Sequence, residues 1–381
     1  MFEPLSKIPS GMRYYFGAEA RARREVEDAC MSVFDGWSYE EIATPSVDYY
    51  ALFEHGMGHD EAHRAFRFTD SDGRMLALRP DVTSSVARAA ATLFAERARP
   101  LRLCYAAPVF RQRSRSHAEW RRESRQIGCE LIGARSSDAD VEVLAIAAEV
   151  LETLGLRSEV RITLNNVGVF NGVAESLRLD AARRERMRRI IDVRDASELQ
   201  SFLTSVAPTT SSGDQRGWQL PRLSGKREVL NEARRVISNE QSRGALAALE
   251  DLWGVIEKLG LADLIEIDLG DVSGLDYYTG LVFKIYVAGA GARVGSGGRY
   301  DDLIANFGRR EPAVGFVLEL DALTEVVLRR GFSPANHTAA GASPIESATP
   351  AALFAEAKQR RANGQRVQIS HRDEGLGVRD D

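Results

Sequence analysis

The sequence has little cysteine, and its thiols form no recognisable pattern. Three cysteines, Cys30, Cys104 and Cys129, occur among 381 residues, and none belongs to a CxxC pair. Thiols so few and so scattered exclude a disulfide framework. They favour a protein of a reducing compartment such as the cytoplasm.

Long apolar segments and an excess of basic charge are also missing. The stretch MFEPLSKIPSGMRYYFG lacks the apolar run of a signal peptide, and no later segment is apolar for long enough to span a bilayer. The formal net charge of −5 argues against a protein that coats nucleic acid, although a local basic face is compatible with it. We therefore expect a soluble, cytoplasmic, globular protein with no membrane partner.

Hydrophobic residues make up 44% of the chain, enough for at least one large core, and the length suggests two or three domains. Apolar periodicity alternates between strand and helix patterns. Strands are predicted over 40–53 with a break at Pro45, in a hairpin over 64–80, and over 100–114, 123–133, 159–166, 264–271 and 280–286. Helices are predicted over 17–36, 82–98 and 137–156, the last with a Ser or Asp N-cap and a closing glycine, and 312–330 runs from strand into helix.

The order of these elements predicts the fold class and the domains. Residues from about 166 to 260 are mostly helical in pattern, so we expect an α+β protein: an antiparallel sheet flanked by helices, with a helical insertion. Residues 332–350 are rich in Ala, Ser, Pro and Thr and predict a linker after a main domain of 1–331. Residues 351–381 are too few for an independent domain and fit one helix and one short strand.

Three short patterns that can signal cofactors are incomplete. HGMGHDEAH spaces His55, His59 and His63 by four, but Asp60 stands where a thermolysin-like zinc helix needs Glu. GAGARVGSGG has glycines near a nucleotide-binding spacing, but no helix follows at once. Gly225-Lys226 lacks the rest of a phosphate loop. The sequence therefore predicts no metal and no cofactor.

Polar residues stand in strand-like surroundings in four segments. These are LRPDVT, VFRQR, RESRQIGCE and SGLDYYTGLVFKIY. Gln126 and Glu130 differ by an even number, so on one regular strand they point to the same face. Carboxylates and an amide suit an α-amino group and a protonatable ring, whereas Arg111 suits a carboxylate or phosphate. Each residue alone is also compatible with a surface ion pair.

The same segments resemble histidyl-tRNA synthetases, a class II synthetase family. LALRPDVTSSVAR is similar to their LRPEGT segment, PLRLCYAAPVFRQR to motif 2, and EEIATPSVDYYALFEHGMG to motif 1, the usual dimer interface. SGLDYYTGLVF and GSGGRYDDL resemble the histidine-specific RGLDYYTRTVFE and AGGRYDGL segments. The resemblance covers about residues 8–331 and implies a class II synthetase-like fold.

The resemblance also implies a histidine pocket. Seven residues fall on its positions: Asp81, Thr83, Arg111, Gln126, Glu130, Tyr277 and Tyr278. The α-ammonium group is expected to meet Asp81, Thr83 and Gln126, and the carboxylate to meet Arg111. The imidazole is expected between Glu130 and the two tyrosines, where ring N–H donation to the carboxylate excludes apolar amino acids.

The catalytic half of the synthetase site is altered. Ser273 replaces the Arg before GLDYY, and Arg113 replaces the acidic residue after the motif 2 Arg. The family's motif 3, GxxxGxER, reads GFVLELDAL here, with Glu319, Asp321 and Ala322. Losing one preorganised charge stabiliser costs about 10²–10³ in rate, so losing two leaves adenylation negligible. Glu319 without the Arg also opposes the triphosphate.

A chain that keeps the histidine side of the pocket and loses the ATP side resembles the regulatory-subunit family of short-form ATP phosphoribosyltransferases. The resemblance implies a non-catalytic homodimer in a hetero-oligomer with the short catalytic subunit, under L-histidine feedback, in the first step of histidine biosynthesis. Two alternatives stay open at this point. One is a divergent histidyl-tRNA synthetase-like, adenylate-forming enzyme. The other is an RNA-binding module that uses arginines 113, 115, 121, 122 and 125, although nucleic acid is not the expected partner.

Overall fold

The computed structural model describes residues 6–112, 121–206, 219–272, 278–331, 343–345, 350–363, 365 and 367–369. The chain divides into two compact units, Met1–Phe332 and Ser333–Asp381. The first unit holds the site described below.

Twelve helices lie in the described part of the chain. They are α1 (Gly17–Gly36), α2 (Tyr50–Met57), α3 (His59–Ala62), α4 (Thr83–Ala91), α5 (Asp138–Thr153), α6 (Val167–Ser176), α7 (Ala181–Asp192), α8 (Ala196–Val206), α9 (Glu228–Val236), α10 (Glu240–Lys258), α11 (Leu320–Arg329) and α12 (Pro350–Ala362).

The strands of the described residues number fourteen. They are β1 (Glu40–Glu41), β2 (Val47–Tyr49), β3 (Arg67–Thr69), β4 (Met75–Leu78), β5 (Leu101–Phe110), β6 (Glu123–Ile132), β7 (Val160–Asn166), β8 (Ser224–Gly225), β9 (Ile265–Asp268), β10 (Leu281–Val287), β11 (Gly295–Arg299), β12 (Ala313–Glu319), β13 (Ser343–Ile345) and β14 (Val367–Ile369).

A nine-stranded sheet forms the centre of the first unit, in the order β1-β5-β6-β12-β11-β10-β7-β9-β8. Every neighbouring pair from β5 to β7 is antiparallel, whereas β1 pairs with β5 and β7 with β9 in parallel. Helices pack on this sheet and bury a large apolar core that includes Phe34, Phe283 and Phe316. The predicted α+β architecture is confirmed.

A smaller sheet of three antiparallel strands, β2-β4-β3, lies beside the hydrophobic cluster of Leu52, Phe53 and Ala77. The β3–β4 hairpin is the one that the turn residues of 70–73 predict. Pro45 does separate two strands, as expected. The prediction that strand continues to residue 53 is wrong, because α2 begins at Tyr50 and buries Leu52 and Phe53 in this cluster.

Most other predicted elements of the first unit are confirmed within a few residues. Gly155, with φ of 71°, ends the segment after α5 in the left-handed region that suits glycine. The predicted side-chain cap of α5 is wrong, because Ser137 has helical dihedral angles and makes no cap hydrogen bond. The predicted helical insertion is formed by α6 to α10, with the short β8 between α8 and α9. The predicted loop APTTSSGDQRG lies outside the described residues.

The second unit contains α12 and a parallel pair of short strands, β13 and β14. One helix and a short strand after residue 350 are as predicted, and β13 falls inside the segment that predicts a linker. The division of this part of the chain into linker and remnant stays a prediction. Among the helices described, none is long and apolar enough to cross a membrane.

Candidate functional site

A cavity of about 820 Å³ opens on the nine-stranded sheet of the first unit. One end is formed by residues around the start of α4, the end of β5, the start of β6 and the junction of β12 with α11. These residues are Glu61, Arg64, Asp81, Thr83, Arg111, Arg121, Ser124, Gln126, Glu319, Asp321, Ala322 and Glu325. The far end is formed by α7 of the insertion and by β10 and β11, and it carries Arg188, Arg189, Lys284, Tyr286, Arg293 and Ser296. Four of the seven predicted pocket residues therefore line one cavity.

Asp81 and Thr83 are positioned by the beginning of α4. The Ser84 backbone N–H and hydroxyl donate to the Asp81 carboxylate over 3.4 and 3.3 Å. Burial raises the pKa of Asp81, while the Ser84 hydrogen bonds and the Arg111 charge act in the opposite direction. The carboxylate is thus held at the cavity wall beside the Thr83 hydroxyl.

Glu130 lies behind Thr83, in the interior of β6, and is only 2% exposed. Its carboxyl group accepts three hydroxyl hydrogen bonds: Thr83 Oγ1 donates to Oε1 over 2.8 Å, Tyr105 donates to Oε1 over 3.1 Å, and Tyr300 donates to Oε2. Burial raises the pKa of Glu130 to about 7, and the three hydroxyl donors limit the rise. Glu130 is thus a titratable carboxyl group connected to the cavity through Thr83.

Glycines on the neighbouring strands provide the space for this group. Gly315 of β12 pairs with Glu130 in register, and a Cβ atom at residue 315 would overlap with Glu130 Oε2. A Cβ at Gly128 would lie 2.9 Å from the Tyr105 hydroxyl. The buried carboxyl and its donors therefore require residues without side chains at these positions.

Arg111 and Gln126 are both joined to Glu319. Gln126 Nε2 donates to Glu319 Oε1 over 3.0 Å, Ser124 Oγ donates to Oε2 over 3.1 Å, and Arg111 Nη1 lies 3.5 Å from Oε1. Arg111 is also held by its Nε, which donates to the Pro80 carbonyl over 3.1 Å. The guanidinium that the sequence assigns to a ligand carboxylate thus faces a carboxylate of the protein itself.

The even spacing of Gln126 and Glu130 predicts one common face, and β6 is regular over both residues. Gln126 lines the cavity directly, whereas Glu130 reaches it through Thr83.

The two predicted tyrosines are not both described. Tyr277 lies outside the described residues, together with Asp276 and Ser273. Tyr278 packs beside β11, where a Cβ at Gly298 would lie 2.8 Å from Tyr278 Cδ1, and it is not among the residues that line the cavity.

The altered motif 3 residues have structural partners. The Asp321 carboxylate, 3% exposed, accepts from Arg23 Nε over 2.6 Å and from the Arg125 backbone N–H over 2.9 Å. Ala322 follows it and lines the cavity with a methyl group. Asp321 therefore connects α1, β6 and α11 and is already neutralised by a protein cation.

The arginines described in the motif 2 region are also partnered. Arg121 pairs with Glu325, Arg125 pairs with Glu27, and the Arg122 guanidinium lies 4.6 Å from the centre of the Phe66 ring. Residues 113–120, including Arg113 and Arg115, lie outside the described residues. The three described arginines each contact a side chain of the protein itself.

Other singled-out polar residues have structural roles. Arg79, 3% exposed, donates to the carbonyls of Thr44 and Pro108 and joins the segments before β2 and within β5. His63 lies 3.3 Å from the Tyr50 hydroxyl. Within the described part of the chain, no three His, Cys, Asp or Glu side chains cluster in a way that could hold a metal ion.

Sequence reasoning missed the hydroxyl groups that surround Glu130. Tyr105 lies in a strand that reads as ordinary core, and only its register opposite β6 brings it to Glu130. Tyr300 could have been noticed, because it belongs to the GGRYDDL segment. Ser124 and the role of Glu319 as a hydrogen-bond acceptor depend on the pairing of β6 with β12.

Comparison with known proteins shows what the chain is similar to. Residues 11–323 match the family model described as Histidyl-tRNA synthetase. An ATP phosphoribosyltransferase regulatory subunit from Halothermothrix orenii is 35% identical over 87% of this chain and 78% of that relative. One from Moorella thermoacetica is 36% identical over 95% of this chain and 91% of that relative.

A solved structure is similar over nearly the whole chain. It is an ATP phosphoribosyltransferase regulatory subunit/histidyl-tRNA synthetase from Bacillus halodurans, with a TM-score of 0.84 and 30% identity over 99% of this chain and 96% of that one. The chain therefore belongs to the histidyl-tRNA synthetase-like family of ATP phosphoribosyltransferase regulatory subunits.

Proposed function

We propose that this chain forms no bonds itself and acts as the histidine-binding, regulatory subunit of a short-form ATP phosphoribosyltransferase. One observation carries the proposal. The amino-acid side of the cavity keeps Asp81, Thr83, Arg111 and Gln126, whereas the side that should receive a triphosphate presents the Glu319 carboxylate and has no cation at residue 322. Adenylation needs preorganised positive charge at these positions, so their residues support the binding of an amino acid without its activation by ATP.

Histidine is the amino acid that the site supports. Its ammonium group would meet Asp81, Thr83 and the Gln126 amide, and its carboxylate would meet Arg111. Its imidazole would enter beside Thr83 and donate a ring N–H to Glu130. Tyr277 and Tyr278, which the family resemblance assigns to the ring, remain part of the proposed site. Glu130 does not line the cavity and is connected to it through the Thr83 hydroxyl, which donates to Oε1, so the ring N–H would take the place of this donor.

The proposed partner is the catalytic subunit of the phosphoribosyltransferase. Support comes from the relatives, which are named as regulatory subunits of that enzyme. The proposed role is to support catalysis in the partner and to transmit histidine feedback on the first step of histidine biosynthesis. Histidine must then bind one state of the assembly better than another, and a coupling of about 1–3 kcal/mol is enough for a substantial shift.

A second copy of the chain is the proposed partner for the small three-stranded sheet. On one face of β2 and β3, the side chains of Val47, Tyr49 and Phe68 are 40%, 39% and 43% exposed. Leu76 and Leu78 of β4 lie between them in register. A contiguous apolar face of this kind is typical of a protein interface, and it lies in the region that resembles motif 1.

Calorimetry and pyrophosphate exchange test the proposal on the purified full chain. Histidine is expected to bind the wild type and to bind at least tenfold more weakly to Glu130→Ala, because that variant removes the imidazole acceptor. ATP–pyrophosphate exchange dependent on histidine is expected to be undetectable. Exchange at the speed of a synthetase, or no heat of histidine binding, would contradict the proposed function.

A further inference from the structure

Glu319 is placed where a ligand anion would otherwise contact the cavity. Its Oε1 atom lies 3.5 Å from Arg111 Nη1 and accepts from Gln126 Nε2 over 3.0 Å. Arg111 and Gln126 are the two residues that the proposed histidine site assigns to the carboxylate and the ammonium group. A single protein carboxylate therefore sits between the two binding groups for the charged ends of an amino acid.

Further contacts hold this carboxylate in place. Ser124 Oγ donates to its second oxygen over 3.1 Å, so both oxygens accept hydrogen bonds. Glu319 is also the residue before the first turn of α11, where the partial positive charge of the helix N-terminus favours a negative side chain. Leu318, the residue before it, is fully buried, so the backbone that carries Glu319 is anchored in the sheet core. The side chain is held beside Arg111 by hydrogen bonds from Gln126 and Ser124 as well as by its anchored backbone.

We infer that Glu319 sets the charge selectivity of the pocket, an inference that rests on the proposed histidine site. Glu319 is the resident counter-ion of Arg111: it repels a ligand that carries only negative charge and attracts one that carries an ammonium group. For zwitterionic histidine the two effects oppose each other and nearly cancel. The carboxylate thus separates free histidine from anionic compounds that present the same imidazole or a phosphate to Arg111.

The binding of three ligands that share the imidazole ring but differ in net charge tests this inference. At pH 8 imidazole is neutral, so histamine carries one positive charge, histidine has no net charge and imidazolepropionate carries one negative charge. In Glu319→Gln the amide keeps the size of the side chain and can still bond to Ser124 and Gln126. The affinity ratio of imidazolepropionate to histamine is expected to rise about 10- to 100-fold relative to wild type, and the affinity for histidine to change less than about threefold.

Inorganic pyrophosphate gives a readout that does not depend on histidine. We expect it to bind Glu319→Gln at least tenfold more tightly than wild type, and the gain to disappear in the double variant Glu319→Gln/Arg111→Gln, because the freed guanidinium is the binding group. Glu250→Gln is the matched control. It also removes one carboxylate that pairs with an arginine, but Glu250 and its partner Arg234 do not line the cavity, so its replacement should leave both readouts within about threefold.

The outcomes separate the two proposals. If wild type binds no histidine but Glu319→Gln gains pyrophosphate through Arg111, the histidine site is wrong and the charge selectivity stands. If wild type binds histidine and Glu319→Gln changes neither the ligand ratio nor pyrophosphate affinity, the inference about Glu319 is overturned and the histidine site stands. Thermal unfolding establishes that each variant is folded, and Glu319→Ala is the substitute if the glutamine variant is not.

Discussion

The Thr83 hydroxyl lies 2.8 Å from Oε1 of Glu130 and donates to it. This hydrogen bond joins the first residue of α4 to the interior of β6. Because Thr83 lines the cavity, it connects the cavity to the buried carboxyl group of Glu130. A ligand that contacts Thr83 therefore acts on a group whose pKa of about 7 lies in the physiological range. The ionisation of Glu130 can consequently be followed in two ways, through the pH dependence of histidine affinity and through that of the unfolding free energy.

Histidine binding is expected to weaken as the pH falls from 8 to 6. At pH 8 Glu130 is ionised and free imidazole is neutral, which is the proposed bound pair. Below pH 7 Glu130 gains a proton, because burial raises its pKa to about 7, and free imidazole gains one near 6.5. The affinity should fall by about tenfold or more over this range, as measured by calorimetry. In Glu130→Gln the affinity should depend on pH only through protonation of the histidine imidazole. If the pH profile of this variant equals that of the wild type, the proposed hydrogen bond between the imidazole and Glu130 is refuted.

The unfolding free energy should also depend on pH through Glu130, and it should decrease as the pH rises. The pKa of Glu130 rises from 4.5 in the unfolded chain to about 7 in the fold, so the folded state binds the extra proton. The stabilisation is fully present below pH 4.5 and is lost as the pH rises through 7, by about 3 kcal/mol. Denaturant unfolding of wild type and Glu130→Gln measures this. The difference between the two unfolding free energies should decline over that window, and a constant difference would exclude the raised pKa.

Gly315→Ala should damage both folding and binding. The new methyl group would overlap with Glu130 Oε2 and approach the Cys129 carbonyl oxygen to 2.5 Å, so the carboxyl or the strand must move. We expect a loss of about 1–3 kcal/mol in unfolding free energy and weaker histidine binding. Gly254→Ala is the control, because no atom lies within 4 Å of a Cβ there and α10 should gain up to about 1 kcal/mol. Equal effects of the two substitutions would contradict the crowding at Gly315.

Phe68→Asp should convert a homodimer into monomers. The substitution places a charge in the exposed apolar face formed with Val47 and Tyr49, and burying it unpaired in an interface is costly. Sedimentation velocity at micromolar protein measures the change. Leu93→Asp is the control, since Leu93 is 79% exposed in the turn that follows α4, and this variant should sediment like the wild type. A dimer that persists in Phe68→Asp, with wild-type thermal unfolding, would place the interface elsewhere.

Local patterns predicted the fold well where one periodicity governed a whole element. The long strand β6 and its even spacing brought Gln126 and Glu130 to the same side, because a strand alternates strictly. Prediction failed at residue 50, where aromatic residues with high strand propensity enter a helix. The segment is helical because Phe53 packs in a buried cluster, and local propensity does not predict such tertiary packing.

The sequence predicted which residues belong to the site better than it predicted which of them contact each other. Asp81, Thr83, Arg111 and Gln126 lie together, but the hydroxyl donors of Glu130 come from residues far apart in the chain. Tyr105 and Tyr300 reach Glu130 only because β5, β6 and the segment after β11 are neighbours in the sheet. Periodicity assigns a side chain to a face, whereas the partner across that face depends on strand order and register.

Asp321 has a consequence for how this chain could change over evolutionary time. Its carboxylate fastens Arg23 of α1 to the start of β6, and it is almost entirely enclosed. Replacing it would leave the part-buried Arg23 guanidinium and the Arg125 backbone amide without this acceptor, so substitutions at residue 321 should lower the stability of the fold. Any exchange of residue 321 must therefore be accompanied by new partners for both donors, so changes at this end of the cavity are linked to the stability of the fold.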